Sequence, residues 1–372
     1  MNQGACGVKR EGKGESRDLE GKVLTVLGPV DPDTLGIVLP HEHVLADMTA
    51  YFVEPTEATE KRIAYEPVGI ENLYWVHTHL MGNRDDLLMN DEDLAIRELM
   101  RFKSTGGATV VDMSCIGLGR DPCGVARIAR STGLHIVLGT GYYVSCSHPA
   151  DLHKKNEREI ADTIVKDILE GIDQTGIRAG IIGEVGCSIP LEEGEKKVLR
   201  ASAIAQRRTG AALNIHPSRS DELLMETKAI LEESGADLSR VIISHAGHFG
   251  FKKETIRELA TAGCSIEFDT FGHPALPIEC FAHEERLLEM PSEVQRIYYI
   301  RELIGEGFLD RILVSQDCCF KHKYVKYGGY GYAHIIEHII PWMKQRGITD
   351  EQIHSITVEN PKRILTLAKI EE

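Results

Sequence analysis

"LGIVLPHEH", residues 35–43, is the stretch on which the reading of this chain turns. An apolar run closes on two histidines one residue apart. In an extended strand, residues i and i+2 project to the same face. His41 and His43 therefore point together, and Glu42 points the other way, toward whatever helices cover the sheet. Two imidazoles on one face can grip one divalent cation. With 16 His in 372 residues, roughly 0.7 His-x-His pairs arise by chance, so the pair decides nothing alone. Two ordinary polar histidines are an equal account until partners are found.

Partners are found at the ends of similar runs. After "IVLPHEH" (37–43) come "ATVVDMS" (108–114), "HIVLGTGYY" (135–143), "GIIGEVG" (180–186), "ALNIHPS" (212–218), "VIISHAG" (241–247), "SIEFDTF" (265–271) and "RILVSQD" (311–317). Most are nearly continuous Val/Ile/Leu, as expected of parallel strands covered on both faces. Between them lie amphipathic, charged segments such as "DEDLAIRELMRFKSTGG" and "EREIADTIVKDILEGI", several ending at Gly as helices commonly do. Eight strands alternating with helices predict an α/β (β/α)8 TIM barrel. A doubly wound sheet is the rival, but it gives no reason for polar residues to gather at one end of the strands. His41 and His43 end the first strand, Glu184 the fourth, His216 the fifth, His245 the sixth and Asp317 the eighth. A barrel brings all those ends to one rim, where the active sites of this fold lie. The segments 44–107 and 272–310 are expected to wall a pocket over it. Near the C-terminus, Thr349 with Gln352 predicts a capping box, and Asn360 before Pro361 predicts an N-cap.

Each candidate has a bland alternative. Glu184 lies in an apolar run without an evident cationic neighbour, and a buried carboxylate there is costly unless paired or bound to a metal. A distant Lys or Arg would also satisfy it. His216 and His245 singly read as packed or exposed histidines, and Asp317 alone is weak. Four His, one Glu and one Asp on strand ends are together a metal-binding pattern.

Composition narrows the classes. Hydrophobic content of 42% and charged content of 27% are those of a soluble globular chain, and a net charge of −15 argues against a nucleic-acid partner. No run approaches the length needed to span a membrane, so no membrane association is expected. Nine cysteines, an odd number without a Cys-x-x-Cys pair, fit a reducing cytoplasm. Cys115, Cys187, Cys318 and Cys319 fall near strand ends, but no spacing singles them out as ligands. Residues 1–20, polar and Gly-rich, read as a disordered tail, and 21–372 as a single barrel domain.

The set of strand-end residues, with "LGPVDPDTLGIVLPHEH", "GIIGEVGCS", "NIHPSR", "ISHAGH", "LVSQD" and the tail "KYGGYGYAHII" through "ENPKRIL", resembles the amidohydrolase superfamily. Within it the chain is similar to the phosphotriesterase family, especially the phosphotriesterase-related proteins. The resemblance implies two divalent metal ions, most often zinc. His41 and His43 would hold the more buried ion with Asp317, His216 and His245 the more exposed one, and Glu184 would bridge both. In phosphotriesterases proper the bridge is a carboxylated lysine, so Glu184 weighs against efficient phosphotriester hydrolysis. It leaves the two-metal design intact. A homodimer is what the resemblance suggests.

Two metals sharing a water lower its pKa and polarise a substrate oxygen. Asp317 is then the expected catalytic base, taking the proton from the bridging hydroxide and delivering it to the leaving group. Tyr143, with Tyr142 as the alternating neighbour, Arg219 and His248 are the candidates for contact with a small-molecule substrate. A core aromatic, a surface salt bridge and a hydrogen bond behind the ligands are their respective alternatives. The expected activity is hydrolysis of a carbonyl bond in a carboxylic ester, lactone or amide. Phosphotriester hydrolysis and a non-catalytic metal-binding scaffold remain the alternatives.

Overall fold

The computed structural model describes residues 19–247, 250–273 and 290–370. Eight strands lie in one sheet: β1 Ile37–Glu42, β2 Gly107–Asp112, β3 His135–Thr140, β4 Ile181–Gly186, β5 Leu213–His216, β6 Val241–Ile243, β7 Ser265–Phe268 and β8 Ile312–Val314. They follow chain order across the sheet, and the pairings between neighbours are parallel. The β8 end meets β1: the Asp317 amide donates to the His41 carbonyl at 3.2 Å, and the His41 amide donates to Ser315 Oγ at 3.2 Å. The sheet is thus a TIM barrel, closed at the level of the site.

Each crossover ends in a helix that leads into the next strand: α1 Glu92–Ser104, α2 Pro122–Thr132, α3 Glu157–Leu169, α4 Glu193–Thr209, α5 Asp221–Glu233, α6 Lys253–Thr261 and α7 Glu293–Gly305. Their ends follow local chemistry. Asp91 caps α1 by accepting from the Leu94 amide, Asn156 and Glu159 form a capping box on α3, and Gly133 ends α2 in the left-handed region. The segment 272–310 is therefore not one long loop, because α7 occupies much of it. The Thr349–Gln352 capping box is present. Asn360, in contrast, is not an N-cap. Its backbone is helical and continuous with the preceding turn, and its side-chain amide donates to the Leu309 and Ile312 carbonyls at 2.8 and 2.9 Å. It fastens the C-terminal helix beneath β8.

The barrel interior is layered. Val38, Val111, Val137, Ile181, Ala212, Ile242 and Leu313, at or beside seven of the strands, form a buried cluster that Val23, Leu35, Ile364 and Leu365 join. Each Val, Ile or Leu among them contributes about 1.5–3 kcal/mol on burial. Two residues on from Ala212, Ile242 and Leu313, the same inward face carries Asn214, Ser244 and Ser315, all buried. One more step gives His216 and Asp317. An apolar floor, a polar middle layer and a ring of candidate ligands thus share one axis.

Two strands depart from simple alternation, and both departures place ligands. Val38 faces the interior cluster while Leu39 packs in the outer core. Strict alternation would then turn His41 outward. The β1–β2 register shifts between Leu39 and Glu42, and His41 comes inward. On β4, Ile181 faces inward and the β4–β5 register shifts between Ile182 and Val185, bringing Glu184 inward as well. Gly183 is required there: its φ is +139°, and a Cβ would stand 2.8 Å from Asn214 Cβ. No helix among the described residues is long and apolar enough to cross a membrane.

Candidate metal centre

Glu184 is the hub. It is buried, and its Oε1 lies 2.8 Å from His216 Nδ1, 2.8 Å from His245 Nε2 and 3.6 Å from His41 Nε2. His245 Nε2 and His216 Nδ1 are 2.9 Å apart. On the other side, Asp317 Oδ1 is 3.5 Å from His43 Nε2 and 4.0 Å from His41 Nε2. The six residues read from the sequence are thus brought together. His41 with Glu184 and His245, and His41 with His43 and Asp317, are groups whose ligand atoms lie close enough to hold an ion.

A test of fit lies in His41. Its Nε2 is buried, faces Glu184 and Asp317, and has no hydrogen-bond partner among the described residues. A buried polar atom without a partner costs about 1–3 kcal/mol, a cost that a cation at that position removes. Nitrogen and oxygen donors of this kind suit zinc and similar divalent ions.

The reverse side of three of the four rings is held. His41 Nδ1 lies 3.1 Å from Glu267 Oε2, His43 Nδ1 3.0 Å from Ser114 Oγ, and His245 Nδ1 2.9 Å from Asp269 Oδ1. Such partners orient the ring and select the tautomer that presents the other nitrogen to a metal. Beneath His41, Glu267 Oε2 also lies 2.9 Å from Ser244 Oγ and 3.0 Å from Asn214 Nδ2. Glu267 and Asp269 went unassigned in the sequence, although two carboxylates at i and i+2 of the apolar run "SIEFDTF" carry the same signal as Glu184.

Glu42 does not face the helices. Its buried carboxylate accepts from Ser315 Oγ, the Gln316 amide and the Cys318 amide at 2.7–2.8 Å, tying β1 to the chain that follows β8. His245 and Asp317 lie beyond the regular strands, at φ +58° and +50°. A non-glycine residue in that region costs about 1 kcal/mol or more. At His245 the turn is supported by its own amide, which donates to Asp269 Oδ2 at 2.9 Å.

The electrostatics divide the four imidazoles. Burial lowers the pKa of His43 to about 4, with Asp317 offsetting part of the effect. Burial also lowers that of His216. For His245, burial is outweighed by Asp269 and Glu184, which raise the value to about 10. His41 is raised for the same reason, by Glu184, Glu267 and Asp269 against burial. Burial would raise Glu184, but His216, His41 and His245 hold it well below the usual carboxylate range.

Over these groups opens a cleft of about 610 Å³, lined by His43, Glu184, His216, His245 and Asp317 together with Met48, Tyr51, Leu80, Met81, Tyr143, Arg219, His273, Cys319 and Phe320. Tyr143 and Arg219 stand where substrate contacts were expected, and Tyr143 Oη is 3.3 Å from His216 Nδ1. Tyr142 is buried and does not line the cleft. His248 lies outside the described residues. The segment 44–107 supplies four wall residues, as expected, whereas 272–310 supplies His273 alone among the described residues. Nothing in the sequence signalled Tyr51 or His273.

Comparison with known proteins agrees with this geometry. The model of the phosphotriesterase family matches residues 21–365. An N-acetyltaurine hydrolase of Dictyostelium discoideum is 40% identical, over 94% of this chain and 99% of the relative. An N-acetyltaurine hydrolase of Homo sapiens is likewise 40% identical, with the same coverage. Among solved structures, a resiniferatoxin-binding protein from Rhodobacter sphaeroides superposes with a TM-score of 0.88 at 35% identity, over 94% of this chain and 96% of that one.

Proposed function

The chain belongs to the phosphotriesterase family, and from that premise we propose that this hydrolase uses two divalent ions, most simply zinc, to cleave the amide bond of N-acyl conjugates of small anionic amines. The observation that carries the reading is the company the donors keep. Five of the six ligand-type side chains, all but the buried His41, and Arg219 border one cleft whose other walls are mostly apolar. The names of the relatives point to the same bond type, an amide between an acyl group and a sulfonated amine.

His41, His43 and Asp317 would hold one ion, His216 and His245 the other, and Glu184 both. When bound, such ions make water a nucleophile near neutral pH and polarise the carbonyl oxygen. The chain's own groups do the rest. Arg219 binds the anionic end by charge-assisted hydrogen bonds and so fixes where the amide lies. Tyr143 Oη, beside His216, donates to the carbonyl oxygen as charge develops there. Asp317 accepts a proton from the attacking water at its carboxylate and passes it to the departing nitrogen. Water adds to the carbonyl carbon, the C–N bond breaks, and a carboxylate and an amine leave. The buried thiols of Cys115, Cys187, Cys264, Cys318 and Cys319 are free, which supports cytoplasmic residence. One barrel domain over 21–372 and a homodimeric state belong to the same reading.

A panel of N-acetyltaurine, N-acetyl amino acids, a neutral ester, a lactone and an aryl phosphotriester, each with and without a chelator, tests it. The anionic amides should be the best substrates and the chelator should abolish turnover. A phosphotriester or neutral ester as best substrate would refute the assignment.

A further inference from the structure

We infer that the substrate lies across the barrel mouth with its anionic end at Arg219 and its acyl end on the far side, and that an Asp86–His322 clasp sets the acyl length accepted. This rests on the reading above and extends it to specificity.

The orientation follows from topology. Arg219 comes three residues after the end of β5. Met48, Leu80 and Met81 come from the segment after β1, and Phe320 follows β8. β8 and β1 adjoin, and in an eight-strand barrel in chain order β5 lies opposite β1. Arg219 therefore leaves the barrel on the side of the rim opposite the β8–β1 seam from which Phe320 comes, with the candidate ligands between them. A conjugate with its acid at one end, its amide in the middle and its alkyl chain at the other matches that order.

The apolar wall is assembled from two independent loops, and one carboxylate joins them. Asp86, fully buried, accepts from the His322 amide at 2.8 Å and faces His322 Nδ1 at 2.7 Å. Its carbonyl accepts from the Lys321 amide at 3.0 Å, and Lys321 Nζ pairs with Asp85 at 2.5 Å. The Phe320 ring stacks on the His322 ring, centroids 5.4 Å apart and planes 12° apart, so the clasp orients a wall residue directly. On the other loop, Asn83 accepts from the Asp86 amide at 2.9 Å and donates to the Ile63 and Glu66 carbonyls. Leu80 and Met81 lie between that anchor and His77, whose ring meets His322 edge-on at 4.9 Å. Neither Asp86 nor His322 borders the cleft. They are positioning residues.

The test is an acyl series of taurine amides, from acetyl to octanoyl, with wild type, Asp86→Ala, His322→Leu and the conservative Asp86→Asn, each with metal content measured. Cutting the clasp should raise KM for the acetyl substrate about tenfold with kcat nearly kept, and raise the octanoyl-to-acetyl ratio of kcat/KM about tenfold. Asp86→Asn, whose amide can still accept from the His322 amide, should restore most of the wild-type profile. Equal losses at every chain length, loss of metal, or failure of both disruptive variants to fold would overturn the inference, since the clasp would then be general scaffold. A wild type inert toward all taurine amides would overturn the proposed function first, and this inference with it.

Discussion

His41 Nε2 and Glu184 Oε1 face each other at 3.6 Å inside the barrel, and the imidazole nitrogen makes no hydrogen bond to any described residue. A pair left in that state without a cation is costly. Glu184→Gln removes the negative charge the two candidate sites share, and metal content should fall from about two ions per chain to one or fewer. Because residue 184 is a glutamate and not a lysine that could be carboxylated, adding bicarbonate should leave the rate of zinc reconstitution unchanged.

Metal uptake should release protons. Without a cation, a value of about 10 keeps His245 protonated at pH 7, and Glu184, Glu267 and Asp269 shift His41 in the same direction, while His43, lowered to about 4, is already neutral. Binding must expel the His245 proton at least, so zinc affinity should rise from pH 6 to pH 8. Calorimetry in buffers of different ionisation heat measures the release. In the metal-free protein, the sign for stability is the reverse. A histidine raised to about 10 in the fold stabilises fully below its unfolded value of about 6.5 and loses that contribution as pH rises toward 10. The Tm of the metal-free protein should drop over that window. A pH-independent zinc affinity would contradict the account.

Asp269 holds His245 through both its amide and its Nδ1. Asp269→Asn should weaken metal binding about 10–100-fold with the fold retained, measured by competition with a chromogenic chelator.

Asp317→Asn should keep most of the metal and lose about 10²–10⁴ in kcat. Full activity in that variant would show that the proton goes elsewhere.

Arg219→Ala should raise KM for an anionic amide about 10–100-fold, the worth of a charge-assisted hydrogen bond, and barely change that for a neutral ester. Equal effects on both would remove Arg219 from the anion site.

The barrel was legible because each strand is a run of Val, Ile and Leu flanked by turn residues, and burial on both faces leaves no alternating pattern to mislead. The six donors were legible because polar residues at the ends of apolar runs have few other reasons to be there. The inward turn of His41 and Glu184 was not derivable, since it depends on two register shifts that alternation does not encode. The early ends of β6 and β8 were hidden for a similar reason: His245 and Asp317 take left-handed backbone conformations that their residue types do not announce. Glu42 binds the β8 end because the barrel closes there, a contact between positions more than 270 residues apart in the chain. Tyr51 lies in a segment with no sustained periodicity, so its place in the cleft appears only in three dimensions.

The most direct test of the central claim is turnover of N-acetyltaurine by chelator-stripped protein titrated with zinc. Activity should be absent at the start, rise with added metal and reach its plateau at about two equivalents per chain. Undiminished activity in the stripped protein, or none at any metal loading, would contradict it.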